Sequence, residues 1–278
     1  MHGTILTVCN PKGGVGKTTI AANLAGLLAD LGQRVLLIDG DTQPTASSYY
    51  AIVQRAPQGL TGLVQMPYTS SGSIELDQFI SKSSIDRLDV VISDDPTGKL
   101  STWIQQTPDG RTRLRATLRK ATHNYDIIII DSQGAMTSLL QAAVIAGDML
   151  LSPVPPRLMD TREFTRGAVQ LMQDLAPLKD LGIPIGNLFG LVYRVDRTND
   201  SRNYAKILTS MAWEQYRIPV RFLSTLVPER VVYREACTAQ TPVSRMDPHA
   251  REIMCDLVTE LWPHLSDTAQ AHSQGTSK

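Results

Sequence analysis

Short apolar runs recur along the chain, each separated from the next by a stretch of helical spacing. Ile5-Leu6-Thr7-Val8-Cys9 reads as a buried strand and is followed by a glycine-rich turn. From Thr18 to Leu31 the apolar positions Ile20, Leu24, Leu27, Leu28 and Leu31 fall on one helical face, with Gly32 placed to end the helix. Val35-Leu36-Leu37-Ile38 is a second continuous apolar strand, ending at Asp39. Strand, helix and strand in this order predict a right-handed crossover and a parallel sheet covered on both faces.

The same alternation continues. Strands are expected at Leu88–Ile92, Ile127–Ile130, Met149–Leu151 and Leu188–Val192, with an extended segment at Val220–Phe222. Helices are expected at Leu114–His123, Ala142–Ile145, Thr161–Leu175 and Asn203–Tyr216, and a last one at Pro248–Leu265. Residues 54–75 hold several Gly, Pro, Ser and Thr and read as an irregular surface insertion. The reading is α/β: a mostly parallel twisted sheet with helices on both faces. Residues 1–265 are expected to form one domain, and 266–278, small and polar, a disordered tail.

Composition narrows the function classes. With 42% hydrophobic residues the 278-residue chain can bury a substantial core. Its 27 basic and 27 acidic residues balance, so a nucleic-acid partner would need a local patch rather than a global field. Cys9, Cys237 and Cys255 are scattered without metal-ligand spacing, which argues against a disulfide framework or zinc site. No basic leader with a cleavage site is evident, nor an apolar run long enough to cross a bilayer, so a soluble cytoplasmic protein is expected.

The strongest chemical signal is Lys12-Gly13-Gly14-Val15-Gly16-Lys17-Thr18-Thr19, between the first strand and the first helix. The generic phosphate-loop pattern requires a glycine five residues before Gly-Lys-Ser/Thr, where this chain has Pro11, preceded by Asn10. The form Lys-Gly-Gly-x-Gly-Lys-Thr is met in full. Glycines let successive N–H groups turn toward phosphate oxygens, and the following helix adds its positive end. Lys17 would bridge β- and γ-phosphates, and the Thr18 hydroxyl would ligate Mg²⁺. A structural glycine turn would account for the glycines but not for two lysines and two threonines at these places.

This loop resembles the deviant Walker A motif of the ParA/MinD superfamily of P-loop ATPases. The resemblance implies ATP and Mg²⁺ as ligands and the whole segment Lys12–Thr19 as the phosphate-binding loop. It also implies a homodimer that sandwiches the nucleotide, with Lys12 reaching the partner's phosphates. Lys12, Lys17 and Asp41 would then be the catalytic residues. ParA proteins carry Asp-x-Asp-Pro-Gln after the second strand. Ile38-Asp39-Gly40-Asp41-Thr42-Gln43 is similar, with Thr42 in place of proline. By resemblance Asp39 supports the Mg²⁺ shell and Asp41 positions the attacking water. Asp131 closes the Ile127–Ile130 run as a Walker B carboxylate would. It is followed by Ser132-Gln133-Gly134 rather than the family's usual Pro-Pro. Pro228, with Glu235-Ala236 and Pro242-Val243, is similar to the ParA C-terminal pattern, which puts Pro228 at the nucleotide.

What the switch couples to is less sharply written. The cysteines are not placed for the shared cluster of nitrogenase iron proteins, and the last residues lack the basic amphipathic helix of MinD proteins. ATP-dependent amidoligases remain a small-molecule alternative, as does a MinD-like positioning switch. Between Arg194 and Arg234 the basic residues Arg194, Arg197, Arg202, Lys206, Arg217, Arg221, Arg230 and Arg234 face only Asp196, Asp200, Glu214 and Glu229. Such a local excess suits salt-sensitive contacts to DNA phosphates. The expected function is therefore a ParA-like partition ATPase associated with the nucleoid. It would bind non-specific double-stranded DNA as the ATP dimer, through Arg194, Arg197, Arg202, Arg230 and Arg234. A ParB-like partner would stimulate hydrolysis, and no membrane partner is expected.

Overall fold

The computed structural model describes residues 3–66, 76–210 and 220–275. Nine strands form one sheet: β1 Thr4–Val8, β2 Val35–Gly40, β3 Ile52–Gln54, β4 Ser81–Ser83, β5 Leu88–Val91, β6 Ile127–Ser132, β7 Met149–Val154, β8 Asn187–Val195 and β9 Val220–Pro228. Their order across the sheet is β3-β4-β5-β2-β6-β1-β7-β8-β9. The β3–β4 and β4–β5 pairs are antiparallel, and every other pair is parallel. The helices described are α1 Lys17–Asp30, α2 Leu60–Gln65, α3 Lys99–Gln106, α4 Gly110–Ala121, α5 Ser138–Ala146 and α6 Leu158–Asp180, followed by α7 Asn199–Ser210, α8 Val232–Thr238, α9 Val243–Met246, α10 Pro248–Leu261 and α11 Ser266–Ser273.

The central strands read as unbroken apolar runs because both of their faces are covered. Alternate residues feed two cores. Leu6, Val8, Val35, Leu37, Ile127 and Ile129 join α1 and α10 on one face. Ile5, Leu36, Ile38, Ile128 and Ile130 join α2 to α5 on the other. A third cluster, around Phe164, Leu171, Leu188 and Leu208, seats α6 and α7 on the β7–β9 side.

Three expectations are corrected. Residues 54–75 are not irregular throughout: Leu60, Leu63 and Val64 form the buried stripe of α2, while residues 67–75 lie outside the described residues. The last long helix stops at Leu261, not Leu265, because Pro263 disfavours helical backbone at the residue before it, and Trp262 sits at φ −130°. Residues 266–273 of the expected tail are α11, which buries Ala269 completely against the core. One small buried residue among polar ones leaves almost no periodic signal in the sequence. Residues 276–278 lie outside the description, as do residues 211–219, which take in the end of the expected Asn203–Tyr216 helix and, beyond it, Arg217.

In an open parallel sheet, ligands gather beyond the carboxyl ends of the strands. The ends of β1, β2 and β6 carry the loop from Asn10 to Gly16, Asp39 and Asp131, so the topology brings together the residues singled out above.

Candidate functional site

The loop after β1 is anchored before it turns. Buried Asn10 donates from Nδ2 to the Pro153 carbonyl (2.9 Å), and its Oδ1 accepts from the Lys12 amide (2.9 Å). Val15 buries its side chain, so it can offer a ligand only its backbone. Gly16 sits at φ 96°, and a Cβ there would lie 2.0 Å from the Tyr193 ring, so no other residue fits. Gly14 also has positive φ, 74°.

Lys17 opens α1 with its side chain folded back under the loop, and its Nζ donates to the Lys12 carbonyl (3.0 Å). Burial lowers its pKa, while Asp131 and Asp41 pull the other way. The cation is therefore short of solvation and aimed where a phosphate would solvate it. Thr18 donates its hydroxyl to Asp131 Oδ2 (2.6 Å). Asp131 is fully buried, and its other oxygen, Oδ1, has no hydrogen-bond partner. Burial pushes this carboxyl up to about 8. One hydroxyl and one unpartnered carboxylate oxygen are the hard donors that Mg²⁺ takes, with water and phosphate completing its shell.

Asp39 pairs in register with Asp131 across β2 and β6. Its Oδ2 accepts from the Ser47 amide (2.7 Å) and hydroxyl (2.6 Å), and its Oδ1 accepts from the Asp41 amide (3.2 Å). Burial pushes it up to about 6 against those bonds. Asp39 thus ties down the loop that carries Asp41. Asp41 borders a cavity of about 270 Å³ with Gly13, Lys17, Thr18 and Gly134. Gly134 presses on the phosphate loop: a Cβ there would stand 2.7 Å from Gly13 Cα. The segment after Asp131 thus lies directly against the loop.

Lys12 is turned elsewhere. Its Nζ lies 2.7 Å from Asp160 and 2.5 Å from Glu163, both on α6, and these carboxylates raise its pKa. The sequence reading gave no role to either acid.

A second cavity, about 300 Å³, opens beyond Thr19 and is bordered by Tyr193, Arg194, Pro228, Arg230, Tyr233 and Arg234. Pro228 thus shares a cavity with Thr19, the last residue of the loop segment. Two of the expected DNA contacts have partners within the fold. Arg194 Nη1 donates to the Gly14 carbonyl (3.1 Å), which puts it in the loop's own site. Arg230 holds Asp247 through both nitrogens (2.5 and 2.8 Å), a pairing internal to the fold. Arg234 is exposed but borders the same cavity. Arg197 and Arg202 are exposed at and just before α7, beside exposed Lys206.

Residues missed by sequence reasoning are Ser47 and Ser93. The Ser47 hydroxyl accepts from the Ser93 amide (3.0 Å), and the Ser93 hydroxyl donates to the Asp41 carbonyl (2.5 Å). Neither belongs to a recognisable spacing, since tertiary packing alone brings them to Asp39.

A glycine-rich loop between a buried strand and a helix, a buried lysine, and a hydroxyl bonded to a strand-end carboxylate define a P-loop nucleoside triphosphatase site. Comparison with known proteins agrees. Residues 3–180 match the family described as AAA domain. The sporulation initiation inhibitor protein Soj of Bacillus subtilis is 27% identical over 263 residues, covering 93% of this chain and 98% of Soj. The chromosome partitioning protein ParA of Myxococcus xanthus is 36% identical over 154 residues, 55% of this chain and 52% of that protein. A McdA variant from Cyanothece, solved as an ATP complex, superposes with a TM-score of 0.72 at 20% identity, covering 100% of this chain and 98% of that one. The chain belongs to the AAA domain family, as a P-loop ATPase of the ParA/MinD type.

Proposed function

We propose that this chain is a partition ATPase: ATP drives it into a homodimer that binds double-stranded DNA without sequence preference, and a ParB-like protein stimulates hydrolysis and release. The observation that carries the nucleotide chemistry is the Lys17–Thr18–Asp131 arrangement, with a buried cation, a hydroxyl and an unpartnered carboxylate oxygen converging below the loop. Gly13 and Gly14 leave room for phosphates, Gly16 gives way to the Tyr193 ring, Lys17 neutralises the phosphate charge, and Asp41 at the cavity edge positions the attacking water. Mg²⁺, held by Thr18 and Asp131 with Asp39 behind them, would neutralise charge on the phosphates. Lys12 would serve the neighbouring subunit's nucleotide, adding a second cation where charge develops.

The partition reading is supported by the likeness to the Myxococcus ParA and by exposed Arg197, Arg202 and Lys206. Arg197, Arg202 and exposed Arg234 remain as candidate DNA contacts, and exposed Lys206 and Arg221 on β9 join them. The protein would then act in the cytoplasm on the nucleoid. Among the described residues no helix is long and apolar enough to cross a membrane.

Duplex-DNA binding measured with ATP, with ADP and without nucleotide, across a salt series, tests the proposal. ATP-dependent, salt-sensitive and sequence-indifferent binding is expected. ATP-dependent binding to anionic liposomes instead would favour a MinD-like switch. ATP-dependent amide formation on a carboxylate substrate would favour an amidoligase.

A further inference from the structure

Arg194 combines four features that no structural role requires together. It is a non-glycine residue at φ 63°, in the left-handed region that side chains such as arginine rarely adopt. It is the extra residue of an irregularity in the β8–β9 pairing, where Tyr193 faces Val227 and Val195 already faces Pro228. A bulge of this kind re-aims a side chain, and strained backbone persists where the surroundings over-determine it. Here the guanidinium is turned over the Tyr193 ring, 5.4 Å from its centroid, and onto the Gly14 carbonyl at 3.1 Å. Finally, Arg194 and Thr19 are the two residues that border both the phosphate-loop cavity and the Pro228 cavity.

A nucleotide with its phosphates on the loop and its base beside Pro228 has to pass between Thr19 and Arg194. The part of the molecule at that crossing is the ribose with its α-phosphate. We propose that Arg194 is a nucleotide-binding residue that grips the ribose–α-phosphate segment, an inference that rests on the ATPase reading above. The Gly14 carbonyl takes one N–H of a planar fork with five donors, a geometry that matches phosphate oxygens. The Tyr193 ring and the Gly14 carbonyl hold the guanidinium at this crossing before ligand arrives. Tyr233 borders the base side of the same crossing, with its hydroxyl buried and unpartnered. Because the α-phosphate is common to ATP and ADP, Arg194 strengthens both equally, unlike Lys17 at the β- and γ-phosphates.

Arg194→Asn and Arg194→Gly test this, since both replacements accept positive φ and remove the guanidinium without straining the bulge. Calorimetric titration with ATP and with ADP, each with Mg²⁺, is run beside thermal melts of every variant. The expected result is a loss of affinity on the order of tenfold or more, equal for both nucleotides, with a melting temperature at or above wild type. Arg194→Lys should recover part of the affinity. Unchanged affinity in the Asn and Gly variants, with wild type binding normally, would overturn the role of Arg194 alone. A loss confined to ATP would overturn it too, by placing the guanidinium at the γ-phosphate. Wild-type protein that bound neither nucleotide would overturn the ATPase reading and this role with it.

Discussion

Lys12 and Lys17 stand five positions apart in the sequence and in opposite environments. Lys17 is 6% exposed and loses solvation that the charges of Asp131 and Asp41 and the Lys12 carbonyl replace in part. A ligand phosphate completes that set, so Lys17→Ala should reduce ATP affinity at least about 100-fold in calorimetric titration. A variant that still bound ATP normally would remove the loop from the chemistry. Asp41 sits at the cavity edge, with its carboxylate accepting from the Gln43 amide (3.0 Å) and its position set by Asp39, Ser47 and Ser93. Asp41→Ala should therefore bind ATP but release no phosphate, and normal turnover would exclude Asp41 from the mechanism. The loop, Asp39, Asp41 and Asp131 were legible because their chemistry is packed into a few consecutive positions after apolar strands. Ser47, Ser93 and the bulged Arg194 were not, since each reaches the site through a tertiary contact that leaves no local pattern. Cys9 follows its plain reading as a small buried residue: burial pushes its thiol up to about 12, which leaves it inert.

Elements were legible in proportion to their burial. β1, β2, β6 and β7 sit mid-sheet, so each is a nearly continuous apolar run. β3, Ile-Val-Gln, and β4, Ser-Lys-Ser, have three residues each at the sheet's margin, too few to show a period. β9 was recognised only at Val220–Phe222, because its continuation through Ser224 and Thr225 is held by Glu260, which accepts from both backbone amides (2.8 and 2.7 Å). Helix α10 depends on a cap that the sequence does show. Asp247 precedes Pro248, accepts from the Ala250 amide at 2.7 Å and pairs with Arg230. Arg230 first, then the Ala250 amide, hold the Asp247 carboxyl below the usual carboxylate range. A folded-state pKa below the unfolded one adds stability that is complete above the unfolded value, near 3.8, and disappears as pH falls through the lower, folded value. Asp247→Ala should cost about 1–2 kcal/mol at neutral pH, seen as a lower melting temperature. The gap to wild type should narrow only below about pH 4, and a gap that narrowed between pH 8 and 5 would assign it to another group.

At the scale of the whole molecule, the neighbouring positions of β1 and β7 decide where Lys12 can go. The loop after β1 and the start of α6 after β7 emerge side by side at the carboxyl edge of the sheet, so Asp160 and Glu163 meet Lys12 within one subunit. Exposed Met136, Leu158 and Met159 lie on the neighbouring segments. In the proposed dimer, Lys12 could serve a second subunit's nucleotide only if both ion pairs opened, and their strength would therefore oppose dimerisation. Partly exposed pairs of this kind are worth roughly 0.2–1 kcal/mol each, enough to set a threshold without blocking the switch. Combining Asp160→Asn with Glu163→Gln should lower the ATP concentration at half-dimerisation by about 2- to 10-fold, read by light scattering on a sizing column, whereas Lys12→Ala should leave the chain monomeric at any ATP concentration. If the double variant needed more ATP than wild type, the two acids would be working across the dimer rather than holding the lysine at home.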